Sequence, residues 1–374
     1  MTPHFRTLAE AAAWFEAWLD QGALPLWADS GVDPAEGAFQ EAISLAGAPL
    51  ALPRRSRTQA RQVWVYATAA VAGRRGPWLA TAGRGFDAFQ ARYRRPDGLF
   101  VRVVDVEGRV LDETPAVYEQ AFVLLAMAAL SAADPGKPLA DGARDLREGI
   151  GRLHHPAGGY REFGDRPFQA NAHMHLLEAA LAWEEAAPDD PAWRAMSDEI
   201  AGLALRSFIE PERGFVREFF DEAWRPLAGE DGLVEPGHQY EWAWLLDRWG
   251  RARDRADAIE GAARLYGAGL RGVDRTRNVA VNALWDDLEV RDATARLWPQ
   301  TERLKAALIF DTEAEAVLAA SGLAQYLDTP ARGAWRDKML PDGAFVDEAA
   351  PATSFYHLLG AILPLLAAAG QGSS

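Results

Sequence analysis

A spacing that recurs about every 60 residues is the feature of this chain that most constrains its fold. Six prolines each precede a segment with helical periodicity, at positions 53, 115, 167, 236, 299 and 351, so the spacings are 62, 52, 69, 63 and 52 residues. Stretches that combine glycine with aromatic or β-branched residues, such as DGLFVRVVD at 97 and RGFVREFF at 213, fall between pairs of helical segments. A two-helix unit that repeats six times predicts either an open α-solenoid or a closed ring of helix pairs.

Polar and aromatic side chains at the starts of the predicted helices favour the closed ring. They are Arg57, Arg61, Tyr118, Asn171, His175, His238, Glu241, Glu302 and His357. In a ring whose inner helices share one direction these residues meet at a common mouth, whereas in a solenoid they line a ridge. We therefore predict an all-α (α/α)6 barrel, formed as a single domain by residues 1–374, with short β-hairpins and loops at the rim. Segment 99–113, centred on Glu107 and Gly108, is the clearest predicted hairpin.

The charge balance narrows the classes of partner. The chain carries 54 acidic and 39 basic residues, a formal net charge of −15, without a basic stripe that would bind nucleic acid or an anionic membrane. No apolar run approaches the roughly 20 residues that a membrane span needs, and the N-terminus does not resemble a signal peptide. The absence of cysteine excludes disulfides, thiolate nucleophiles and cysteine-ligated metals. We expect a cytoplasmic protein that acts on a small neutral molecule.

Segment 235–246, EPGHQYEWAWLL, is the most informative candidate for chemistry. Pro236 suits the first position of a helix, where its missing N–H costs nothing. His238 then lies in the first turn, where the positive end of the helix dipole disfavours imidazolium and is predicted to keep the side chain neutral near pH 7. Glu241, three residues later, shares this face of the helix. The segment is therefore predicted to form one wall of an active site.

Other histidines have a structural as well as a functional interpretation. His357 lies in a strongly apolar segment, where a lone histidine usually belongs to the core, but its place in the sixth repeat matches that of His238 in the fourth. Asn171 and His175 are four residues apart and share a helix face, while His173 points elsewhere. The sequence therefore predicts that His357 and the Asn171/His175 pair face the same pocket as His238.

In segment 297–306, LWPQTERLKA, Glu302 lies in a predicted first turn, where the helix dipole stabilises a carboxylate. It can equally be a helix-start charge that pairs with Arg303 or Lys305. Histidine and carboxylate side chains suit a divalent ion, but no spacing in this chain demands one, and we predict neither a metal nor a cofactor. The chain also lacks a phosphate-binding P-loop, a dinucleotide fingerprint, a GxSxG elbow and an HExxH motif.

Six segments in order resemble the N-acylglucosamine 2-epimerase family, which also holds mannose isomerases, cellobiose 2-epimerases and sulfoquinovose isomerases. The segments are RTQARQVWVYA, YEQAFVLLA, NAHMHLLEA, EPGHQYEWAWLL, LWPQTERLKA and SFYHLLGAI. The resemblance runs along most of the chain. It implies an (α/α)6 barrel, in agreement with the spacing, and proton transfer at C2 of an aldose or its ketose.

The resemblance also implies roles for individual residues. His238 and His357 look like the family's pair of general acid/base histidines. Substrate-binding roles are implied for Arg61, Tyr118, Asn171, His175, Glu241, Trp298 and Glu302. Within that set, Arg61 resembles the arginine that binds the sugar oxygens near C1 and C2. Glu241 resembles a carboxylate that orients the neighbouring histidine, and Glu302 a second carboxylate that orients a histidine or binds a hydroxyl.

From this resemblance we expect an isomerase that converts D-mannose to D-fructose through a cis-enediolate. A neutral histidine would remove the C2 proton, and Arg61 would stabilise the oxyanion. Epimerisation at C2 of N-acetylglucosamine/N-acetylmannosamine or of mannose/glucose uses the same residues and remains an alternative. A phosphorylated sugar is disfavoured, because the predicted mouth offers few cations and the chain is acidic. We expect a monomer or a homodimer.

Two further classes of protein remain open at this point. An (α/α)6 glycoside hydrolase would use Glu241 and Glu302 as its acid/base pair. A non-catalytic helical-repeat module would present a polar ridge and would not place His238 and His357 in one shared cavity.

Overall fold

The computed structural model describes residues 4–371, which are mainly helical. Its α-helices are α1 Leu8–Trp18, α2 Leu24–Asp29, α3 Ser56–Val71, α4 Trp78–Tyr93, α5 Val117–Ala133, α6 Ala140–Gly151, α7 Ala170–Ala186, α8 Pro191–Leu203, α9 Pro236–Ala252, α10 Ala256–Leu270, α11 Leu297–Phe310, α12 Glu313–Ala324 and α13 Ser354–Gln371. Its strands are β1 Ala42–Ile43, β2 Arg54–Arg55, β3 Val103–Val104, β4 Val110–Asp112, β5 Leu233–Val234, β6 Val273–Asp274, β7 Val279–Ala280, β8 Ala283–Trp285, β9 Val290–Asp292, β10 Ala295–Arg296, β11 Lys338–Met339 and β12 Ala350–Pro351. Between residues 4 and 371, no helix combines the length and apolar character needed to cross a bilayer.

Six of these helices form a closed inner ring. Each of α3, α5, α7, α9 and α11 packs against the next inner helix in the chain, and α13 packs back against α3. An outer layer covers the ring, with α4, α6, α8, α10 and α12 each packed against the inner helix that precedes it in the chain. The sixth outer position is filled by α1, which packs against α13, so the two ends of the chain complete the last pair. The predicted (α/α)6 barrel is confirmed.

The difference between inner and outer helices follows from their apolar patterns. In α5 nearly every residue from Val117 to Leu130 is buried, because neighbours cover the helix on both sides and from outside. In α6, by contrast, the buried residues form a single stripe of Ala143, Leu146, Gly149 and Ile150. A helix that is apolar all round belongs inside a protein, whereas one apolar stripe suits a helix with an exposed face.

Short antiparallel strands surround one end of the barrel. Strands β2, β5, β10 and β12 end within three residues of the start of α3, α9, α11 and α13, respectively. The predicted hairpin is present as β3 and β4, and Gly108 adopts a φ of 84° in its turn, a conformation that other residues rarely reach. The prediction of short hairpins at the rim is confirmed, and the rim lies at the N-terminal ends of the inner helices.

A buried glutamine occupies the fourth position of four inner helices, as Gln59, Gln120, Gln239 and Gln300. Each side-chain amide both accepts from the N–H and donates to the C=O of one residue in the preceding loop or strand, namely Phe39, Phe100, Val216 and Ala280. Such paired bonds satisfy buried backbone groups that would otherwise be costly. The glutamines mark the repeat better than the prolines do, since Pro299 lies inside α11 and does not precede it.

Candidate active site

A cavity of about 260 Å³ lies at the N-terminal ends of the inner helices. It is lined by Arg55, Arg57, Arg61, Tyr118, Asn171, His175, Glu235, His238, Glu241, Arg296, Trp298, Thr353, Ser354 and His357. The lining includes eight of the nine predicted site residues and leaves out Glu302, whose carboxylate lies behind His357. His238 and His357 thus share one cavity, which is not the arrangement of an open ridge.

The second and sixth residues of the inner helices supply much of this lining. They lie four residues apart, so their side chains project from the same face of a helix. In four consecutive helices the cavity receives Arg57 and Arg61 from α3, Tyr118 from α5, Asn171 and His175 from α7, and Glu241 from α9. The helix starts converge because the ring is closed, and this convergence brings together residues that are far apart in the chain.

His357 is held by a buried carboxylate that is itself held by a lysine. Its Nδ1 lies 2.8 Å from Oε1 of Glu302, and Nζ of Lys305 lies 2.6 Å from the other oxygen, Oε2. Burial raises the pKa of Glu302, but Lys305 and His357 outweigh it and bring the pKa to about 2. Burial also lowers the pKa of His357 to about 3, against the opposing effect of Glu302. A neutral His357 that donates its Nδ1–H to Glu302 leaves Nε2 free to accept a proton.

His238, in contrast to the neutral His357, is protonated near pH 7. Its Nδ1 lies 2.9 Å from Oε2 of Glu218 and 3.9 Å from Oε2 of Glu235. Burial alone would lower the pKa of His238, but the two carboxylates raise it to about 10. The prediction that the helix dipole keeps His238 neutral is therefore wrong, because two full charges at these distances outweigh the partial charge of a helix end.

Sequence reasoning missed Glu218, which lies in the loop before β5 and is 3% exposed. A signal was available, since the tripeptide Arg-Glu-Phe occurs at 161–163 and again at 217–219 in two of the glycine-aromatic stretches. The first copy supplies Glu162, which accepts from the N–H groups of Val117 and Tyr118 at the start of α5. Both glutamates lie at the barrel mouth. Glu162 stabilises the start of α5, and Glu218 binds His238 on α9.

Trp298 packs against both histidines. Its ring centroid is 5.0 Å from that of His238 and 5.6 Å from that of His357. Gly237 makes this packing possible, because a Cβ at this position would lie 2.4 Å from the indole ring. The indole thus forms one wall of the cavity and contacts both imidazoles.

Arg61 supplies a buried positive charge beside the histidines. It donates from Nη1 to Oγ1 of Thr353 at 2.6 Å and from Nη2 to the hydroxyl of Tyr118 at 3.1 Å, and its guanidinium lies 4.0 Å from the ring centroid of Phe122. Within residues 4–371, no carboxylate forms an ion pair with Arg61. Its charge is therefore available to stabilise a negative charge that develops on a bound molecule.

Glu241 lies beside a different histidine from the one expected. Its Oε1 is 3.8 Å from Nδ1 of His175, and the carboxylate that hydrogen-bonds His238 is that of Glu218. Burial raises the pKa of Glu241 well above its usual value, and burial also lowers the pKa of His175 to about 4. His175 is therefore neutral near pH 7, and both side chains line the cavity, where they can form hydrogen bonds with sugar hydroxyls.

Among residues 4–371, three sets of histidine and carboxylate side chains have donor atoms that lie within 4.8 Å of one another and could reach a metal ion. They are His175/Glu178/Glu241, Glu218/Glu235/His238 and Glu241/Glu302/His357. In the second and third sets Nδ1 of the histidine already bonds a carboxylate at 2.8 to 2.9 Å. A shared proton accounts for those two contacts.

The cavity mouth carries more positive charge than the sequence suggested. Four arginines line it, Arg55, Arg57, Arg61 and Arg296, and two of them come from rim strands rather than from helix starts. The expectation of few cations at the mouth is therefore wrong. It failed because β2 and β10 bring Arg55 and Arg296 to the same opening although they are far apart in the chain.

Residues 37–361 match the family described as N-acylglucosamine 2-epimerase (GlcNAc 2-epimerase). The chain belongs to the N-acylglucosamine 2-epimerase family. Its resemblance to this family, expected from six motifs, is confirmed, and the protein is a carbohydrate isomerase or epimerase. The alternatives of a glycoside hydrolase and a non-catalytic module are not supported.

Individual family members agree with this assignment. The chain is 44% identical over 366 residues to a protein named mannose-6-phosphate isomerase from Rhizobium meliloti, covering 93% of this chain and 95% of the other. It is 32% identical over 192 residues to a D-mannose isomerase from Thermobifida fusca, covering 45% and 46% of the two chains. A solved cellobiose 2-epimerase from Spirochaeta thermophila superposes with a TM-score of 0.87 over 98% of both chains at 20% identity, which supports the barrel fold alone.

Proposed function

We propose that this protein isomerises an aldose of the mannose configuration to its ketose, as in D-mannose to D-fructose, by moving a proton between C2 and C1. The observation that carries the proposal is the opposed protonation of two histidines in one cavity, a neutral His357 and a protonated His238. Pairs of titratable groups whose surroundings separate their pKa values are the usual arrangement for acid/base catalysis. The two relatives are named mannose-6-phosphate isomerase and D-mannose isomerase, and the two names agree in the type of reaction and in the sugar configuration.

In this mechanism Nε2 of His357 removes the C2 proton of the open-chain aldose. The pair formed by Glu302 and Lys305 holds His357 in the tautomer that leaves Nε2 unprotonated. The electrons of the C2–H bond form the C1–C2 double bond of a cis-enediolate, and the negative charge passes to the carbonyl oxygen on C1. Arg61 lies in the same cavity and stabilises this oxyanion.

The protonated His238 acts as the acid. It donates its Nε2 proton to the oxygen on C1 while its Nδ1–H remains on Glu218. The Nε2 freed in this way accepts the proton of the C2 hydroxyl as the ketone forms, which restores the imidazolium. His357 then returns its proton to C1, which completes the ketose. A positioned general base contributes about 10² to 10⁴ in rate and an oxyanion donor about 10² to 10³.

Epimerisation at C2 is a second candidate that one observation favours. His238 is a second histidine in the cavity that His357 lines, and it holds a proton. If that proton is delivered to the opposite face of C2, the product is the epimer and not the ketose. The first step is common to both reactions, so the two candidates differ only in where the proton returns.

Incubation of the protein with mannose in heavy water, followed by NMR, tests this proposal. We expect fructose as the main product with deuterium at C1 in part of the molecules, whereas glucose with deuterium at C2 would indicate the epimerase. His357→Asn should abolish both products, and His154→Gln is the matched control, since His154 is exposed and outside the cavity lining. Turnover of His357→Asn near the wild-type rate would refute the assignment of the base.

A further inference from the structure

A second cavity lies on the axis of the barrel, behind the active site as seen from the mouth. We call it the axial cavity; its volume is about 280 Å³, and all six inner helices contribute to its lining. The ninth residues of α3, α5, α7, α9 and α11 line it, as Trp64, Leu125, Glu178, Trp244 and Lys305. They lie about 4.5 Å further along their helices than the sixth residues, several of which line the active site. Between residues 4 and 371 the two cavities share no lining residue, so they are separate sites.

The charged side chains that line the axial cavity each have a partner. The pairs are Lys305 with Glu302, Arg248 with Glu185, and Glu178 with the hydroxyl of Tyr356. A charged ligand would lose its own hydration here without meeting an unpaired opposite charge, which is costly. The wall between these groups is apolar, with Trp64, Leu125, Trp244 and Leu308. The axial cavity is therefore suited to a neutral and mainly apolar molecule.

The ammonium group of Lys305 favours an aromatic molecule over an aliphatic one. Its Nζ lies 4.4 Å from the ring centroid of Trp244, which is a cation–π distance. Gly360 leaves room beside the same ammonium, since a Cβ at this position would lie 4.0 Å from Nζ and 3.8 Å from Cη2 of Trp64. The π face of an aromatic ring is electron-rich, so a neutral ring can approach the ammonium there without bringing a counter-charge.

The volume of the axial cavity indicates the size of its ligand. An apolar cavity of about 150 Å³ is enough to bind benzene, so about 280 Å³ accommodates a two-ring molecule such as indole. From these observations we propose that the axial cavity binds a small neutral aromatic molecule of about this size, with its ring against Lys305. Because Lys305 pairs with Glu302 behind His357, the ligand contacts the residue that supports the catalytic base. The inference does not depend on the proposed isomerase activity, because binding is measured directly.

Calorimetry with indole, cyclohexanol and benzoate tests the inference. Indole is neutral and aromatic, cyclohexanol offers an acceptor oxygen without a π face, and benzoate is aromatic but anionic. We expect indole to bind roughly tenfold or more tightly than either of the others. Lys305→Met should weaken the binding of indole by roughly tenfold and change that of cyclohexanol by about twofold or less, because only indole uses the cation–π contact. Saturating mannose should leave the affinity for indole unchanged, because the two cavities are separate.

Substitutions at Gly360 test the location of the site. Gly360→Leu fills the space beside Lys305 and should weaken the binding of indole by roughly tenfold or more. Gly370→Leu on the same helix is the matched control, since a Cβ at Gly370 meets no described atom within 4 Å. Gly360→Ala adds a methyl group at ordinary contact distances and should also weaken the binding of indole, so it decides the question if Gly360→Leu does not fold.

Several results would overturn the proposal while leaving the isomerase intact. If indole does not bind the wild type, or if it binds the folded Gly360 variants as tightly as the wild type, the axial cavity is not its site. Displacement of indole by mannose would place indole in the active site and would also reject the proposal. Equal affinities for indole and cyclohexanol or benzoate, or equal losses for indole and cyclohexanol in Lys305→Met, would overturn the aromatic class of ligand. Melting temperatures establish which variants are folded.

Discussion

Replacing Glu218 with glutamine should move the upper pH limit of activity. In the variant Glu218→Gln the new amide oxygen can still accept the Nδ1–H of His238, so the geometry is kept and the charge is removed. A hydrogen bond to a charged group contributes about 1.5 to 3 kcal/mol, compared with about 1 kcal/mol for a neutral one. Because about 1.36 kcal/mol corresponds to a tenfold change in a proton affinity, this loss of about 0.5 to 2 kcal/mol should lower the pKa of His238 from about 10 to about 8.5 to 9.5.

The direction of the effect on activity follows from the role of His238 as an acid. Its imidazolium form is present below the pKa and lost above it, so wild-type kcat/KM should stay level until the pH approaches 10. In Glu218→Gln the decline in kcat/KM should begin about 0.5 to 1.5 pH units lower. The assay measures kcat/KM by NMR of the sugar anomers at pH values from about 6 to about 10.5. This range includes the alkaline decline of the wild type and that of the variant. Glu235→Gln is the charge-matched control, since Glu235 lies 3.9 Å from Nδ1 and should shift the decline less.

The ion pair between His238 and Glu218 also makes the free energy of unfolding depend on pH. The pKa of His238 is raised in the folded state from 6.5 to about 10, so its stabilising effect is fully present below pH 6.5 and lost as the pH rises through 10. The difference of about 3.5 corresponds to about 5 kcal/mol. Glu218→Gln should therefore melt a few degrees below the wild type near neutral pH, with a smaller gap above pH 10. An unchanged alkaline decline in kcat/KM would refute the view that Glu218 keeps His238 protonated.

Three other substitutions test the neutral histidine and the walls around it. His357→Asn should lower kcat by about 10² to 10⁴ with little change in melting temperature, and a loss confined to KM would contradict its role as the base. Lys305→Met should raise the pH at which kcat/KM declines on the acid side, because the carboxylate of Glu302, which Lys305 keeps ionised, then gains a proton at a higher pH. Lys305→Arg should restore the wild-type acid limit. An unshifted acid limit in Lys305→Met would show that the lysine does not position the site. Gly237→Ala should displace the indole ring of Trp298 and lower kcat by roughly 10- to 100-fold. Gly83→Ala is the control, because a Cβ at Gly83 meets open space, and it should leave kcat unchanged. Equal kcat values in the two variants would exclude the steric explanation.

The barrel and most of the candidate site were predictable because their signals are local and repeated. A helix start followed by an apolar segment can be recognised in each repeat separately, and the i and i+4 spacing of Asn171 and His175 requires only helical geometry. Six such starts in register identify a ring. The same local reasoning failed for the protonation of His238, since the helix dipole is a property of its own helix whereas Glu218 belongs to a loop 20 residues earlier.

By itself, the sequence determined the (α/α)6 architecture, the family and eight of the residues that line the cavity, because periodicity and motif order are encoded along the chain. Only the tertiary structure decided which histidine carries a proton and how much positive charge surrounds the opening. Those properties depend on charges brought within about 3 to 4 Å of one another, and Coulomb energies change steeply over such distances. Glu302 and His357 are 55 residues apart in the chain, and Arg61 and Thr353 are 292 apart, so no local pattern contains their contacts.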